Sequence, residues 1–182
     1  MKKKKKNILI FQLYRMNIFF LHWDPKKCAI MHVNKHVVKM ILESTQILCS
    51  VHHVCKEEDE SYVYIPPYKL THKNHPCSIW TRTSISNYKW LIELAKELCY
   101  EYTYRYGKIH KCQDYIYELE KNLPSIPELG MTPPAQAMPE TYREENPIEA
   151  YRSYYLFEKN KMFSWKKREE PGWLLDFYKL FE

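Results

Sequence analysis

Three glycines in 182 residues are too few for a fold built on tight β-hairpins, whose turns want residues at positive φ. The glycine-rich signatures of several enzyme classes are missing with them. There is no GxxxxGK[ST], no GxGxxG and no GxSxG, which removes Walker-type nucleotide hydrolysis, Rossmann redox chemistry and the α/β-hydrolase mechanism. No CxxC pair occurs. The six cysteines (Cys28, Cys49, Cys55, Cys77, Cys99, Cys112) fall mostly within apolar stretches and read as small buried thiols in a reducing compartment, with no disulfide-linked partner. No apolar run is long enough to span a bilayer, so no membrane partner is expected. The start, lysines followed by Ile8 to Phe11, lacks a small-residue cleavage site and does not read as a secretory signal.

What is present is ordinary globular composition, 45% apolar and 27% charged, in a length that suits one domain with a sizeable core. The net charge of +6 comes largely from Lys2 to Lys6, so the basic balance is mainly a property of the tail and does not argue for nucleic acid. Met16 offers a second start. The chain divides into a basic N-terminal extension over 1–15, a helical domain over 16–165, and an aromatic tail over 166–182 that packs back on the domain.

The expected fold is mainly α. Asn17 to His22 reads as one short strand or a buried extended segment. Asp24-Pro25 opens a short helix to about Val33, and Asn34 caps a second from Lys35 to about Val54. Lys56 to Glu60 reads as a solvated charge cluster. Pro76 starts another helical piece. Ser84 or Ser86 caps a long helix that Gly107 ends, and a further helix covers about His110 to Asn122. Six of the eleven prolines lie between Pro124 and Pro147 and mark a long loop. Asn146-Pro147-Ile148-Glu149 then starts the last main helix, which runs to about Lys161.

Three polar clusters are candidates for chemistry. On the 35–54 helix, His36, Lys39, Glu43, Gln46, Ser50 and His53 share one stripe opposite the apolar one. The stripe is either a solvated face or a cleft wall in which Glu43 is a general base, with Lys39 an amine nucleophile or electrostatic partner. His72, Asn74 and His75 precede the Pro76 helix, where they either hold the loop together or meet a phosphate or carboxylate. Arg105, Lys108 and His110 sit at a helix C-terminus. They either complement its dipole or, with Arg82, Asn87 and Arg152, grip phosphates, while nearby tyrosines offer stacking faces. Cys28, His32 and His36 are spaced four apart, but neither HExxH nor a cysteine pair completes a zinc set, and no metal or cofactor is expected.

Several strings carry a resemblance. They include Asn34-Lys35-His36-Val37-Val38-Lys39-Met40-Ile41-Leu42-Glu43, Thr71-His72-Lys73-Asn74-His75-Pro76-Cys77, Asn87-Tyr88-Lys89-Trp90-Leu91 and Glu101-Tyr102-Thr103-Tyr104-Arg105-Tyr106-Gly107-Lys108. Thr132 to Pro139 and Ala150 to Tyr155 continue it. From Met16 to Trp165 the chain resembles a family of small, largely uncharacterised proteins of tailed phages and large DNA viruses. That family is distantly similar to pyrimidine-dimer DNA glycosylases of the endonuclease V type, compact helical enzymes that attack sugar C1′ with an N-terminal α-amine beside a glutamate. The resemblance implies a viral protein inside an infected cell, in the host cytoplasm or a viral factory, or associated with the virion. It matches Glu43 to that glutamate. Because residues 1–15 precede the family-like start, Lys39 becomes the alternative amine.

The expected function is a DNA- or nucleotide-processing enzyme of glycosylase/lyase type. In it Glu43 is acid–base, Lys39 or His36 assists, and His72, Asn74, His75, Arg105 and Lys108 position phosphate or base. The alternatives are a non-catalytic nucleic-acid-binding or virion-associated module and a small-molecule or nucleotide-modifying enzyme.

Overall fold

An Asp-Pro pair after a buried apolar run sets the first helix. Asp24 accepts the Lys27 N–H at 2.9 Å and Pro25 takes the first helical position, giving α1 over Pro25–Met31. A computed structural model describes Met16 to Lys179. Residues 1–15, the expected basic extension with its lysine run, and residues 180–182 lie outside the described residues.

α2 spans Asn34–Glu58, longer than the expected 35–54 stretch. Its cap position is Val33, with no side-chain cap. Asn34 works elsewhere: its amide donates to Ser164 Oγ at 2.9 Å, and its carbonyl oxygen accepts from Arg105 and from the Lys166 N–H. The supposed cap is a clasp between α2 and the tail. The extra turn at the far end, Cys55 to Glu58, is made largely of charged residues that favour helix as readily as solvent.

His75 caps α3 (Pro76–Thr83) through its Nδ1, and Ser84 caps α4 (Ile85–Tyr106), which Gly107 closes at φ 67°. α5 covers Gln113–Lys121, shorter than expected. A loop with one 3₁₀ turn, Glu140–Tyr142, leads to Asn146, which caps α6 (Pro147–Lys159). A second 3₁₀ turn follows at Asn160–Met162. The tail holds a further short helix, α7 (Gly172–Tyr178), that the sequence pattern had not indicated. Its Leu174 is buried, as is Trp165 before it.

α2 and α4 lie against one another, with α1 on α4, and α3 and α5 each packed on both. Met16 to Leu21 threads this assembly and is buried at every position. Phe20 stacks on Trp90 with ring centroids 4.6 Å apart and meets Trp80 edge-on at 5.0 Å. No strand forms among the described residues. Helices surround this segment, so its polar backbone groups are served mostly by side chains. Glu43 accepts from Asn17, Asn17 Oδ1 from Ile18, and Cys28 Sγ from Leu21. Cys28 in turn donates to the Phe19 carbonyl, and Arg152 to that of Leu21. All six cysteines are free and buried. Among the described residues no helix is long and apolar enough to cross a membrane.

Candidate active site

The polar stripe of α2 is not a solvated face. His36, Glu43 and Ser50 are buried and Gln46 and His53 half-buried, because the Met16–Leu21 segment and the residue 68–75 loop cover them. Only Lys39 keeps a largely exposed side chain.

Glu43 is the centre of the arrangement. One carboxylate oxygen, Oε2, accepts the backbone N–H of Asn17 at 3.0 Å, and the other, Oε1, lies 2.8 Å from Lys39 Nζ. Burial pushes the Glu43 carboxyl above its ordinary value, and the Lys39 ammonium, the Asn17 N–H and the charge of nearby His72 act against that rise. A carboxyl so placed can exchange a proton with an amine beside it. Asn17 is itself tightly held: its side-chain N–H donates to the Ala137 carbonyl at 2.9 Å, and its Oδ1 accepts from the Tyr151 hydroxyl at 2.9 Å and from Cys77 Sγ. Three separate parts of the chain thus fix the residue whose nitrogen faces Glu43.

The 71–75 loop comes to the same side of α2. Ser50 Oγ donates to the Thr71 carbonyl at 2.8 Å, and His72 is near enough to bear on the Glu43 charge. His72 and Asn74 are exposed, while His75 is buried and serves as the α3 cap.

Lys39 also borders a groove of about 540 Å³ on the outer face of α2. Val38, Leu42, Tyr68 and Tyr102 make its apolar part, and Lys108 to Cys112 close the other side. Lys39 thus pairs with Glu43 and also lines the groove to which Lys108, far away in sequence, contributes.

Other candidates hold the fold. Arg105 is not placed to grip a phosphate, being wholly buried with its donors committed: Nε to Glu101, Nη1 to the His32 carbonyl and Asn34, and Nη2 to the Ile30 carbonyl. Asn87 is also fully buried and bonds the Trp80 carbonyl and Thr132. Arg82 donates to the Lys73 carbonyl, and Arg152 to the Leu21 carbonyl and Glu149. His36 stacks on Phe19 at 4.5 Å with its Nδ1 2.7 Å from the Tyr155 hydroxyl. Burial, reinforced by His32, Lys159 and Lys39, pushes its pKa down to about 2, so it packs as a neutral ring and does not act as a proton carrier at neutral pH.

Asn17, Tyr151 and Lys111 escaped the sequence reading. A polar residue heading an otherwise apolar buried run was the available signal for Asn17. Tyr151 carries no local signal, since it contacts Asn17 across 134 positions.

His32 and His52 share the fate of His36. Burial lowers both to about 4, His52 being held between the Tyr62 and Tyr88 hydroxyls. Their unfolded values lie near 6.5. Between pH 6.5 and about 4 the unfolded chain therefore binds protons that the folded chain refuses, and stability, complete above that range, falls as pH drops. Each such histidine contributes a slope of up to about 1.4 kcal/mol per pH unit. Glu43 and Glu97, raised by burial, work with the opposite sign, while His22 and His110, also lowered by burial, add to the three rings. Thermal denaturation is expected to show Tm falling steadily from pH 7 to pH 5; a flat or rising Tm would contradict the assigned burial of these rings.

Compared with protein-family models, curated proteins and solved structures, the chain matches none.

Proposed function

We propose that the protein is a DNA-processing enzyme of the glycosylase/lyase kind, using Glu43 as acid–base and an amine beside it as nucleophile. The observation that carries this reading is a largely buried carboxylate with two nitrogens on it, Lys39 Nζ at 2.8 Å and Asn17 N at 3.0 Å. Lys39 also borders the open groove, and its half-exposed side chain can swing from Glu43 toward a sugar held there.

In the proposed reaction Glu43 takes a proton from the ammonium, freeing the lone pair that attacks sugar C1′. The glycosidic bond breaks, its electron pair leaves with the base, and the proton held by Glu43 passes to that base. Two protons then remain on the attached nitrogen; Glu43 carries one of them to O4′ as the C1′–O4′ bond opens, giving a protonated imine, from which the strand is released by β-elimination of the 3′ phosphate or the enzyme by hydrolysis. The sequence resemblance to a viral family that is itself distantly similar to endonuclease V-type glycosylases points to the same assignment of Glu43. It also favours a second reading: a chain opened between Met16 and Asn17 would place an α-amine where the Asn17 N–H now meets Glu43. The resemblance to proteins of tailed phages and large DNA viruses adds the proposal that it works inside an infected cell.

The test is strand cleavage of a labelled duplex carrying one thymine dimer or one abasic site. Cleavage at the lesion, absent on the intact duplex, is expected. Binding to DNA without cleavage of either substrate would favour a non-catalytic module. Neither binding nor cleavage, with a nucleotide or other small molecule raising Tm, would favour a small-molecule enzyme.

A further inference from the structure

The groove beside Lys39 has a composition of its own. Its lining contains Lys39, Lys108, Lys111 and His110 and no acidic residue. Its other surfaces are apolar or aromatic, and three of them stay unusually open to water: Val38 at 38%, Leu42 at 37% and Ile109 at 71%. Tyr102 meets His110 edge-on at 5.2 Å, and Tyr68 is fixed by its carbonyl to His53 and by its hydroxyl near Cys112. Flat apolar surface ringed by cations fits a ligand that is itself flat and apolar in one part and anionic in another. A wholly apolar peptide segment would leave the lysine charges without a counter-ion.

We propose that this groove is the strand-binding subsite of the protein: one nucleotide of a DNA strand lies in it, its base against Tyr68, Tyr102, Val38 and Leu42, and its flanking phosphates on Lys108 and Lys111. The proposal rests on the reading of Glu43 and Lys39 as the reacting pair, because Lys39 is the residue common to both and would receive the adjoining sugar. Lys108 and Lys111 are exposed on the turn between α4 and α5, so they can be changed without disturbing the core.

The experiment is fluorescence anisotropy of the full chain with a labelled single-stranded oligothymidylate of twelve nucleotides, titrated at several salt concentrations. The double variant Lys108→Ala/Lys111→Ala is expected to bind at least about tenfold more weakly at low salt and to lose about 1.4 from the slope of log affinity against log salt, about 0.7 for each phosphate contact. Tyr102→Leu, which keeps apolar volume but removes the ring, is expected to weaken binding about tenfold and leave the slope unchanged. Thymidine monophosphate is expected to compete only at concentrations far above those of the oligonucleotide. Unchanged affinity and slope in the double variant would overturn the subsite while leaving the chemistry at Glu43 untouched. Equal competition by the mononucleotide would also overturn it, as a free nucleotide would then be the occupant. Weakened binding together with an absence of any strand cleavage would support the subsite and count against the glycosylase/lyase reading alone.

Discussion

Glu43→Gln is expected to lower the rate of strand cleavage by about 10²- to 10⁴-fold, the usual worth of a positioned acid–base group, while the protein stays folded. The neutral amide matches the carboxylate in shape and can still accept the Asn17 N–H through its carbonyl. Its NH₂ group then faces the Lys39 ammonium, a donor against a donor. Lys39 is 55% exposed and can turn to water, so the mismatch costs the fold little. Removing a buried charge offsets that cost, and Tm is expected to stay level or rise slightly. A single-turnover assay and a thermal melt on the same preparation check both halves. A rate within tenfold of the wild type would remove Glu43 from the chemistry. A collapse in Tm would recast it as a structural anchor for Asn17.

Arg105→Met is expected to cost about 3–5 kcal/mol of stability, as loss of one partner from a buried ion pair usually does. The guanidinium is wholly buried near the end of α4 and ties that helix to the end of α1 through the Ile30 and His32 carbonyls. Glu101, which it also meets, is nearly buried and keeps Arg168 as a second cationic partner. The loss therefore comes mainly from the two orphaned carbonyls and the broken α1–α4 link. For a chain of this size that corresponds to a fall in Tm of roughly 10 °C. Lys108→Ala, a few residues further on and exposed, is expected to leave Tm unchanged. Equal effects of the two substitutions would contradict the assignment of one to the fold and the other to the groove.

The contrast between Arg105 and Lys108 shows where sequence reading stops. Both belong to one basic run at a helix end, and charge alone gives no hint that one is sealed inside while the other faces water. Helix starts were legible because capping is local. Asp24-Pro25, Ser84 and Asn146-Pro147 each accept an N–H within three residues, and a window of four positions contains all of that physics. Asn34 shows the opposite case, a capping residue type whose side chain is claimed by Ser164 and Arg105 from far along the chain. The polar stripe of α2 was visible as a periodicity, yet periodicity does not say what lies over a face. The Met16–Leu21 segment covers it, and that placement depends on Ala137, Cys77 and Tyr151, which come from the proline-rich loop, α3 and α6. Glu43 and Lys39 could be nominated from the sequence. The two nitrogens on one carboxylate could not.

Covalent attachment of an amine beside Glu43 to a sugar is the step on which the proposed chemistry depends. Its most direct test is borohydride trapping on a duplex with a thymine dimer or an abasic site, followed by peptide mapping of the adduct. The expected result is a stable protein–DNA adduct mapped to Lys39 and lost in Lys39→Ala, or mapped to the amine of residue 17 in a chain opened before it, and in both cases lost in Glu43→Gln. Absence of any adduct, or one on a lysine remote from Glu43, would contradict it.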